Sequence, residues 1–183
     1  MHTRAIILKK IPIREYDTLV ICYTQDAGKQ VYQAKSIMKP TSKQAGHLDI
    51  LSLVGFSLAH KNNYPIITSA YCLEAFPYLK SSLVGMSAAF FLLECFEKLI
   101  FENEPDSKLW GFLLTQLQRY NAVSIDLLQY PLEGQDTNSI WKNIITDTRQ
   151  ELLRILGYDP SYPIEQLANT KFNSLQFARK VLK

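Results

Sequence analysis

The pattern of hydrophobic and polar positions changes its period once along the chain. Up to about residue 76, short runs rich in β-branched and aliphatic residues are separated by turn-forming residues, as is typical of strands. Beyond residue 82, apolar residues recur every three or four positions, as they do on one face of a helix. The predicted strands are 3–9, 18–24, 29–35, 48–59 and 64–75.

Turn-forming residues mark the connections between these strands. Asp26, Ala27 and Gly28 predict a hairpin turn, because glycine readily adopts a positive φ. A second turn is predicted at 61–63 and a longer loop at 37–47. Five strands within about 75 residues, with no helical period between them, predict a small closed or nearly closed barrel.

The C-terminal part of the chain is predicted to be an α-helical bundle. Helices are expected at 83–101, across 109–117, across 140–156 and at 172–182, with a loop at 130–138. The sequence therefore predicts an α+β protein with two domains, a β-barrel over 1–78 and a helical domain over 79–183.

Composition narrows the class of protein. The chain has 183 residues, of which 47% are apolar and 20% charged, and this balance excludes wholesale disorder. The longest uncharged apolar stretch, 83–93, is well short of the roughly 20 residues that a membrane-spanning helix needs. The first residues lack the pattern of a signal peptide. These features predict a cytoplasmic protein with no membrane association.

The three cysteines predict neither disulfides nor a zinc site. Cys22, Cys72 and Cys95 are odd in number, lack C-x-x-C spacing, and lie in apolar runs. We expect them to be reduced core residues, as free cysteines usually are.

Charge is distributed unevenly along the sequence. Residues 1–61 contain nine Lys or Arg against four Asp or Glu, residues 62–165 contain seven against thirteen, and residues 166–183 contain four against none. Between Asp26 and Asp49 there is no acidic residue. Such a one-sign segment favours contact with a polyanion, although a lysine-bearing surface loop without a partner has the same composition.

Aromatic residues are interleaved with the cations of the predicted barrel. Positive charge beside exposed rings is typical of surfaces that bind single-stranded nucleic acid, because bases stack on the rings. Burial in the barrel core is the alternative for each ring. The aromatic residues concerned are Tyr16, Tyr23, Tyr32, Phe56, Tyr64 and Tyr71.

The sequence contains no recognisable catalytic or cofactor-binding motif. Gly28 and Lys29 lack the earlier glycine of a phosphate-binding loop, and the three histidines are scattered. Glu15 and Asp17 flank Tyr16 and could form a carboxylate pair, but solvated turn residues have the same pattern. We expect a protein that is not an enzyme, with no catalytic residue, no cofactor and no metal.

Several short motifs occur in order between residues 4 and 160. They are Ala5-Ile6-Ile7-Leu8-Lys9, Glu15-Tyr16-Asp17-Thr18-Leu19-Val20, Asp26-Ala27-Gly28-Lys29, Ala34-Lys35, Leu73-Glu74-Ala75-Phe76-Pro77, Glu104-Pro105-Asp106 and the segment 152–160. In their order and spacing they resemble the RecO family of bacterial recombination mediators and DNA repair proteins.

The resemblance implies a five-stranded OB-fold barrel packed on a helical domain. It further implies binding of single- and double-stranded DNA without sequence preference, annealing of complementary strands, docking on single-strand binding protein, and action with RecR to help load RecA. Many members have a four-cysteine zinc module after the segment that matches 152–160, and no cysteine follows Cys95 here. We therefore expect a shortened member without that module.

Two hypotheses for the binding residues follow. In the first, the basic residues of the barrel contact DNA phosphates, and Lys35, Lys39 and Lys43 are the firmest candidates. In the alternative, the protein is an interaction adaptor whose helical domain docks single-strand binding protein or RecR through Trp110, Arg119 and Tyr120. The predicted DNA-binding residues are Arg4, Lys9, Lys10, Arg14, Lys29, Lys35, Lys39 and Lys43.

Overall fold

The computed structural model describes residues 2–59, 64–129 and 137–181. The predicted turn at 61–63 and residues 130–136 of the predicted loop lie outside these ranges. The chain forms two compact units. The first runs to Ala75 and also includes Ile100–Trp110, while the second includes Phe76–Leu99 and the chain from Gly111 onward.

The first unit contains a closed five-stranded barrel. Its strands are β1 His2–Pro12, β2 Thr18–Thr24, β3 Gly28–Ala34, β4 Leu53–Ala59 and β5 Ile66–Glu74. They follow the order β1-β2-β3-β5-β4, in which all neighbours are antiparallel except the parallel pair β3 and β5. This order confirms the predicted OB fold followed by helices.

Alternation along the strands places one set of side chains inside the barrel. Ala5 and Ile7 of β1 face inward with Val20 and Cys22 of β2, and all four are fully buried. Larger rings fill the remaining space. They are Tyr32 and Phe56, which pack edge to face with their ring centres 5.3 Å apart. The buried interior leaves the polar positions of the strands on the outer surface.

The fourth strand is shorter than its hydrophobic run predicts. β4 begins at Leu53 and not at residue 48, because Leu51 adopts a left-handed φ of 58° that no strand contains. The backbone N–H of Leu51 donates to the carbonyl of Ile7, and the N–H of Ile7 donates to the carbonyl of Ser52. Leu48 and Leu51 are buried, so the run is hydrophobic because it packs on the core.

A segment distant in sequence completes the first unit. The backbone N–H of Asn103 donates to the carbonyl of Lys29, and the Tyr23 hydroxyl donates to the carbonyl of Asp106. The segment Ile100–Trp110 therefore lies against the hairpin of β2 and β3. The predicted boundary at residue 78 did not include this return of the chain.

The second unit is helical, as predicted. Rings fill its interior, including Tyr120 and Trp141, which pack edge to face with their centres 5.8 Å apart. Two short helices, α1 (Pro77–Ser81) and α5 (Ile164–Leu167), are not predicted from the sequence, because four or five residues are too few to show a helical period. No helix in the described part of the chain is long and apolar enough to span a membrane. The helices of the chain are α1 Pro77–Ser81, α2 Leu83–Leu99, α3 Ser107–Gln129, α4 Thr137–Ile155, α5 Ile164–Leu167 and α6 Asn173–Val181.

Candidate nucleic-acid interface

The loop between β1 and β2 forms one side of the candidate site. Its turn is closed by the backbone N–H groups of Ile13 and Arg14, which both donate to the carbonyl of Asp17. Arg14 and Tyr16 are exposed on this loop. The tight turn holds both side chains at the end of the barrel.

The chain that follows β3 forms the other side. The backbone N–H of Ser36 donates to Asp17 Oδ1 at 2.8 Å, and the Gln33 amide donates to Asp17 Oδ2 at 3.2 Å. The backbone N–H of Met38 donates to the carbonyl of Tyr16 at 3.1 Å. Asp17 thus fixes the position of the second loop against the first.

These contacts join the two loops, which carry four of the exposed residues predicted to bind DNA or a base. Lys39 lies over the Tyr16 ring, with its Nζ 5.4 Å from the ring centre, which is cation–π distance. Lys35 directly precedes Ser36, the residue bound to Asp17. We call Arg14, Tyr16, Lys35 and Lys39 the loop-end cluster. Its three cations form no ion pair with any residue that the structure describes, so they are available to an external anion.

The loop between β3 and β4 has a further exposed cation and contacts β5. Lys43 is exposed, and Gln44 beside it donates from its amide to the carbonyl of Thr68 at 2.9 Å. The His47 Nδ1 accepts from the backbone N–H of Cys72 at 3.3 Å. Within the described strands, β5 pairs with β3 only at Ile66 and Ile67. The backbone groups of β5 beyond Ile67 are therefore not paired with β3, and the side chains of Gln44 and His47 bind two of them.

The electrostatics of the cluster are positive overall. The two loops carry four exposed cations, Arg14, Lys35, Lys39 and Lys43, and two carboxylates, Glu15 and Asp17. The hydrogen bond with Glu15 raises the pKa of the Tyr16 hydroxyl above its ordinary value of 10.0. Both oxygens of Asp17 accept protein hydrogen bonds. No group of three potential metal-ligating side chains occurs among the described residues.

The remaining predicted cations do not join the loop-end cluster. Arg4 is exposed near the start of β1, up to about 26 Å along the strand from the loop. Lys9 is exposed on β1, and Lys10 forms an ion pair with Asp49 at 3.6 Å. Lys29 is only 9% exposed. The segment Ile100–Trp110 pairs with this part of β3, which leaves little of the Lys29 side chain open to the phosphate contact predicted for it.

The six aromatic residues divide evenly between core and surface. Tyr32 and Phe56 are buried inside the barrel, and Tyr23 is buried where its hydroxyl meets the segment Ile100–Trp110. The other three are exposed, namely Tyr16, Tyr64 and Tyr71. Only the exposed rings can offer a face to a base.

Two of the three residues predicted to bind a partner are buried. Trp110 is 8% exposed and Tyr120 is fully buried, so both are packing residues. Arg119 alone of the three is exposed.

The positioning residues of the interface are not evident from the sequence. From the sequence, Asp17 is noted only as one member of a possible carboxylate pair with Glu15, whereas in the structure its carboxylate joins the two loops. A signal was available, since an aspartate in a turn commonly accepts from nearby backbone N–H groups. Gln44 and His47 gave no comparable signal, because their partners on β5 are more than 20 residues away.

Comparison with known proteins points to one family. Residues 1–76 match the family model described as "Recombination protein O N terminal". The chain is 31% identical over 127 residues to the DNA repair protein RecO of Roseiflexus sp., covering 69% of this chain and 44% of that protein. It is 32% identical over 122 residues to the DNA repair protein RecO of Dehalococcoides mccartyi, covering 67% and 48%. A third protein of the same name, from Thermoanaerobacter sp., is 24% identical over 160 residues, covering 87% and 59%. The chain thus spans about half the length of the curated relatives it matches.

Proposed function

We propose, on the premise that this chain belongs to the RecO family, that it acts in DNA repair and recombination by binding DNA through the loop-end cluster. The observation that supports this most directly is the contact of Lys39 with the exposed Tyr16 ring, on two adjoining loops that also carry the exposed Arg14 and Lys35. Long exposed cations that form no ion pair within the described residues are suited to bind phosphates.

The chemistry of the cluster favours binding without sequence preference. Lysine and arginine contacts to phosphate position a protein on DNA but carry no sequence information. Phosphates are common to single and double strands, so both forms are expected ligands. An exposed tyrosine adds a ring on which an unpaired base can stack.

Strand annealing follows from the same electrostatics. Two complementary single strands repel each other through their phosphates, and cations bound along them lower that repulsion. The process requires neither ATP hydrolysis nor a catalytic residue, so we propose a non-enzymatic activity. Docking on single-strand binding protein, action with RecR and assistance to RecA loading belong to the proposal through the family alone.

The adaptor alternative has less support. It requires an apolar pocket beside a cation, whereas Trp110 and Tyr120 are buried. Arg119 remains exposed and is a suitable position for a control.

Charge reversal tests the proposal. A variant with Arg14→Glu, Lys35→Glu and Lys39→Glu is compared with the unchanged protein by fluorescence anisotropy of labelled oligonucleotides. Since each lost phosphate contact weakens binding about tenfold near 0.1 M salt, we expect a loss of roughly two orders of magnitude or more on both single and double strands.

The control is a variant with the same change in net charge on the helical unit. Arg119→Glu, Lys142→Glu and Arg154→Glu alter three exposed residues outside the barrel. DNA affinity is expected to fall much less in this control. If both triple variants bind DNA equally well, the loop-end cluster is not the interface.

A further inference from the structure

The ring of Tyr71 lies across a glycine of the neighbouring strand. Tyr71 of β5 and Gly55 of β4 are paired in register. A Cβ atom placed on Gly55 would stand only 2.3 Å from the Tyr71 Cζ and 2.5 Å from its hydroxyl oxygen. The ring tip therefore occupies the space above Gly55 that any other residue would fill with its own side chain.

The opposite side of this ring faces solvent. Tyr71 is 46% exposed, although the ring tip is in contact with the sheet. A tyrosine that covers a glycine buries one face against the backbone and leaves the other open. The open face is held in place because the sheet fixes the ring from beneath.

Arg4 lies in the same row of paired residues across the sheet as Gly55 and Tyr71. Arg4 of β1 pairs with Gly55 from the other side of β4. Directly paired residues on neighbouring strands point to the same face of a sheet, so Arg4 and Tyr71 share the outer surface. Arg4 is exposed.

The loop after β3 links this row to the loop-end cluster. His47 binds the backbone N–H of Cys72, the residue next to Tyr71, and Gln44 binds the carbonyl of Thr68 on the same strand. Lys43 precedes Gln44 and is exposed. Cations and rings thus continue from Lys39 and Tyr16, past Lys43, to β5.

We infer that Tyr71 is a stacking platform for one base of a single strand, with Arg4 contacting the adjacent phosphate. The inference rests on the proposed DNA-binding function and names a second contact for it. A ring held flat on a sheet loses little conformational freedom when a base stacks on it. Bases in a duplex have both faces covered by their neighbours, so this contact is specific for single strands.

Two substitutions separate stacking from the structural role of the ring. Tyr71→Phe keeps a ring above Gly55, whereas Tyr71→Leu covers the glycine with an aliphatic group that has no aromatic face. The matched control is Tyr78→Leu, since Tyr78 is a tyrosine of nearly equal exposure, 47%, in the helical unit. A third variant, Arg4→Gln, changes an exposed residue and leaves the ring untouched.

The measurement is anisotropy of a labelled 20-nucleotide single strand and of the matching duplex. For Tyr71→Leu we expect at least about fivefold weaker binding of the single strand, with duplex affinity within about twofold of the unchanged protein. Tyr71→Phe and Tyr78→Leu should bind both ligands as the unchanged protein does. Arg4→Gln should lower the salt slope for the single strand by about one unit.

Each failure has its own meaning. If Tyr71→Leu binds single strands normally, or loses single strand and duplex equally, the stacking inference is overturned while the proposed function stands. Retained duplex binding shows that the variant is folded. If the unchanged protein binds neither ligand at low salt, both the proposed function and the inference are overturned.

Discussion

The Oδ1 atom of Asp17 accepts a 2.8 Å hydrogen bond from the backbone N–H of Ser36. Ser36 has a positive φ of 55°, a left-handed conformation that costs free energy for a residue with a side chain. The Asp17 carboxylate stabilises this conformation, because its second oxygen also binds the Gln33 amide. The negatively charged Asp17 therefore positions the two loops on which the cations Arg14, Lys35 and Lys39 lie.

Substitutions at Asp17 should separate its structural effect from its electrostatic effect. Asp17→Ala removes both hydrogen bonds and should lower the free energy of unfolding by about 1–2 kcal/mol, since the site is only partly buried. Asp17→Asn retains an acceptor for Ser36 and removes a negative charge beside Lys35 and Arg14. We expect Asp17→Asn to bind DNA more tightly than the unchanged protein at low salt, by about two- to fivefold.

Urea denaturation and anisotropy measure these two effects. The unchanged protein is the reference for both. If Asp17→Ala unfolds at the same urea concentration as the unchanged protein, the hydrogen bonds do not stabilise the loops. If Asp17→Asn weakens DNA binding, the charge of Asp17 does not oppose the ligand.

Gly28 should tolerate no side chain. Its φ is +69°, and a Cβ atom there would stand 2.2 Å from the backbone carbonyl oxygen of Glu104. Gly28→Ala must therefore adopt a strained conformation and also displace backbone. We expect a loss of about 2–4 kcal/mol in the free energy of unfolding.

The matched control for Gly28 is a glycine without such neighbours. A Cβ atom placed on Gly46 would meet no other group within 4 Å, and the φ of Gly46 is not positive. Gly46→Ala should change the unfolding free energy by less than about 0.5 kcal/mol, as is usual for surface substitutions. Equal stability of the two alanine variants in urea would show that Glu104 does not approach Gly28 as described.

Glu94 should make the attachment of α6 dependent on pH. Its carboxylate accepts hydrogen bonds from the backbone N–H groups of Asn173 and Ser174 and forms an ion pair with Lys98 at 2.8 Å. Burial raises the pKa of Glu94, but the hydrogen bonds from Lys98, Ser174 and Asn173 together outweigh it and hold the pKa below the ordinary value of 4.5.

The lowered pKa determines the sign of the effect. A carboxyl group whose pKa is lower in the folded protein stabilises it above the ordinary pKa, and that contribution is lost as the pH falls through the folded value. Amide hydrogen exchange of residues 173–181 should therefore be slow at pH 7 and lose protection relative to α2 below about pH 4.5.

Glu94→Gln supplies the control for this pH dependence. It should reduce protection of α6 at pH 7 and remove most of the change between pH 7 and pH 4. Glu97→Gln, which alters a neighbouring carboxylate of α2, is the comparison variant. If Glu94→Gln leaves α6 as protected as in the unchanged protein at pH 7, the carboxylate does not hold the helix.

Tyr120 should behave as a packing residue and not as a binding residue. Its hydroxyl lies 2.6 Å from the Thr148 Oγ1 in the buried interior of the helical unit. Tyr120→Phe should lower the free energy of unfolding by about 1–2 kcal/mol and leave DNA affinity unchanged. A large change in DNA affinity at unchanged stability would contradict this role.

Local patterns are sufficient to predict the barrel. The predicted strand at 18–24 matches β2, Thr18–Thr24, because alternation and flanking turn residues are both local. The assignment of residues 48–52 to β4 is wrong, since a buried turn and a buried strand have the same hydrophobic run. The return of Ile100–Trp110 to the barrel depends on contacts with residues more than 70 positions away, which no local pattern records.

The sequence predicts most residues of the candidate site but not which of them are exposed or lie close together. Lys29 and Lys35 look alike in sequence, yet Lys29 is covered and Lys35 is exposed. The grouping of Arg14 with Lys39 depends on Asp17, whose partners lie 16 and 19 residues away. An isolated glycine within a strand is a known sign of close approach by another group, so Gly55 was the available signal for the position of Tyr71.

The salt dependence of DNA binding by the unchanged protein tests the central claim most directly. Labelled single and double strands of unrelated sequence are titrated by anisotropy at several salt concentrations. If Arg14, Lys35, Lys39 and Lys43 contact phosphates, the logarithm of the binding constant should fall against the logarithm of salt concentration with a slope of about −3 to −4, similar for all sequences. No binding at low salt, or a slope near zero, would contradict the account.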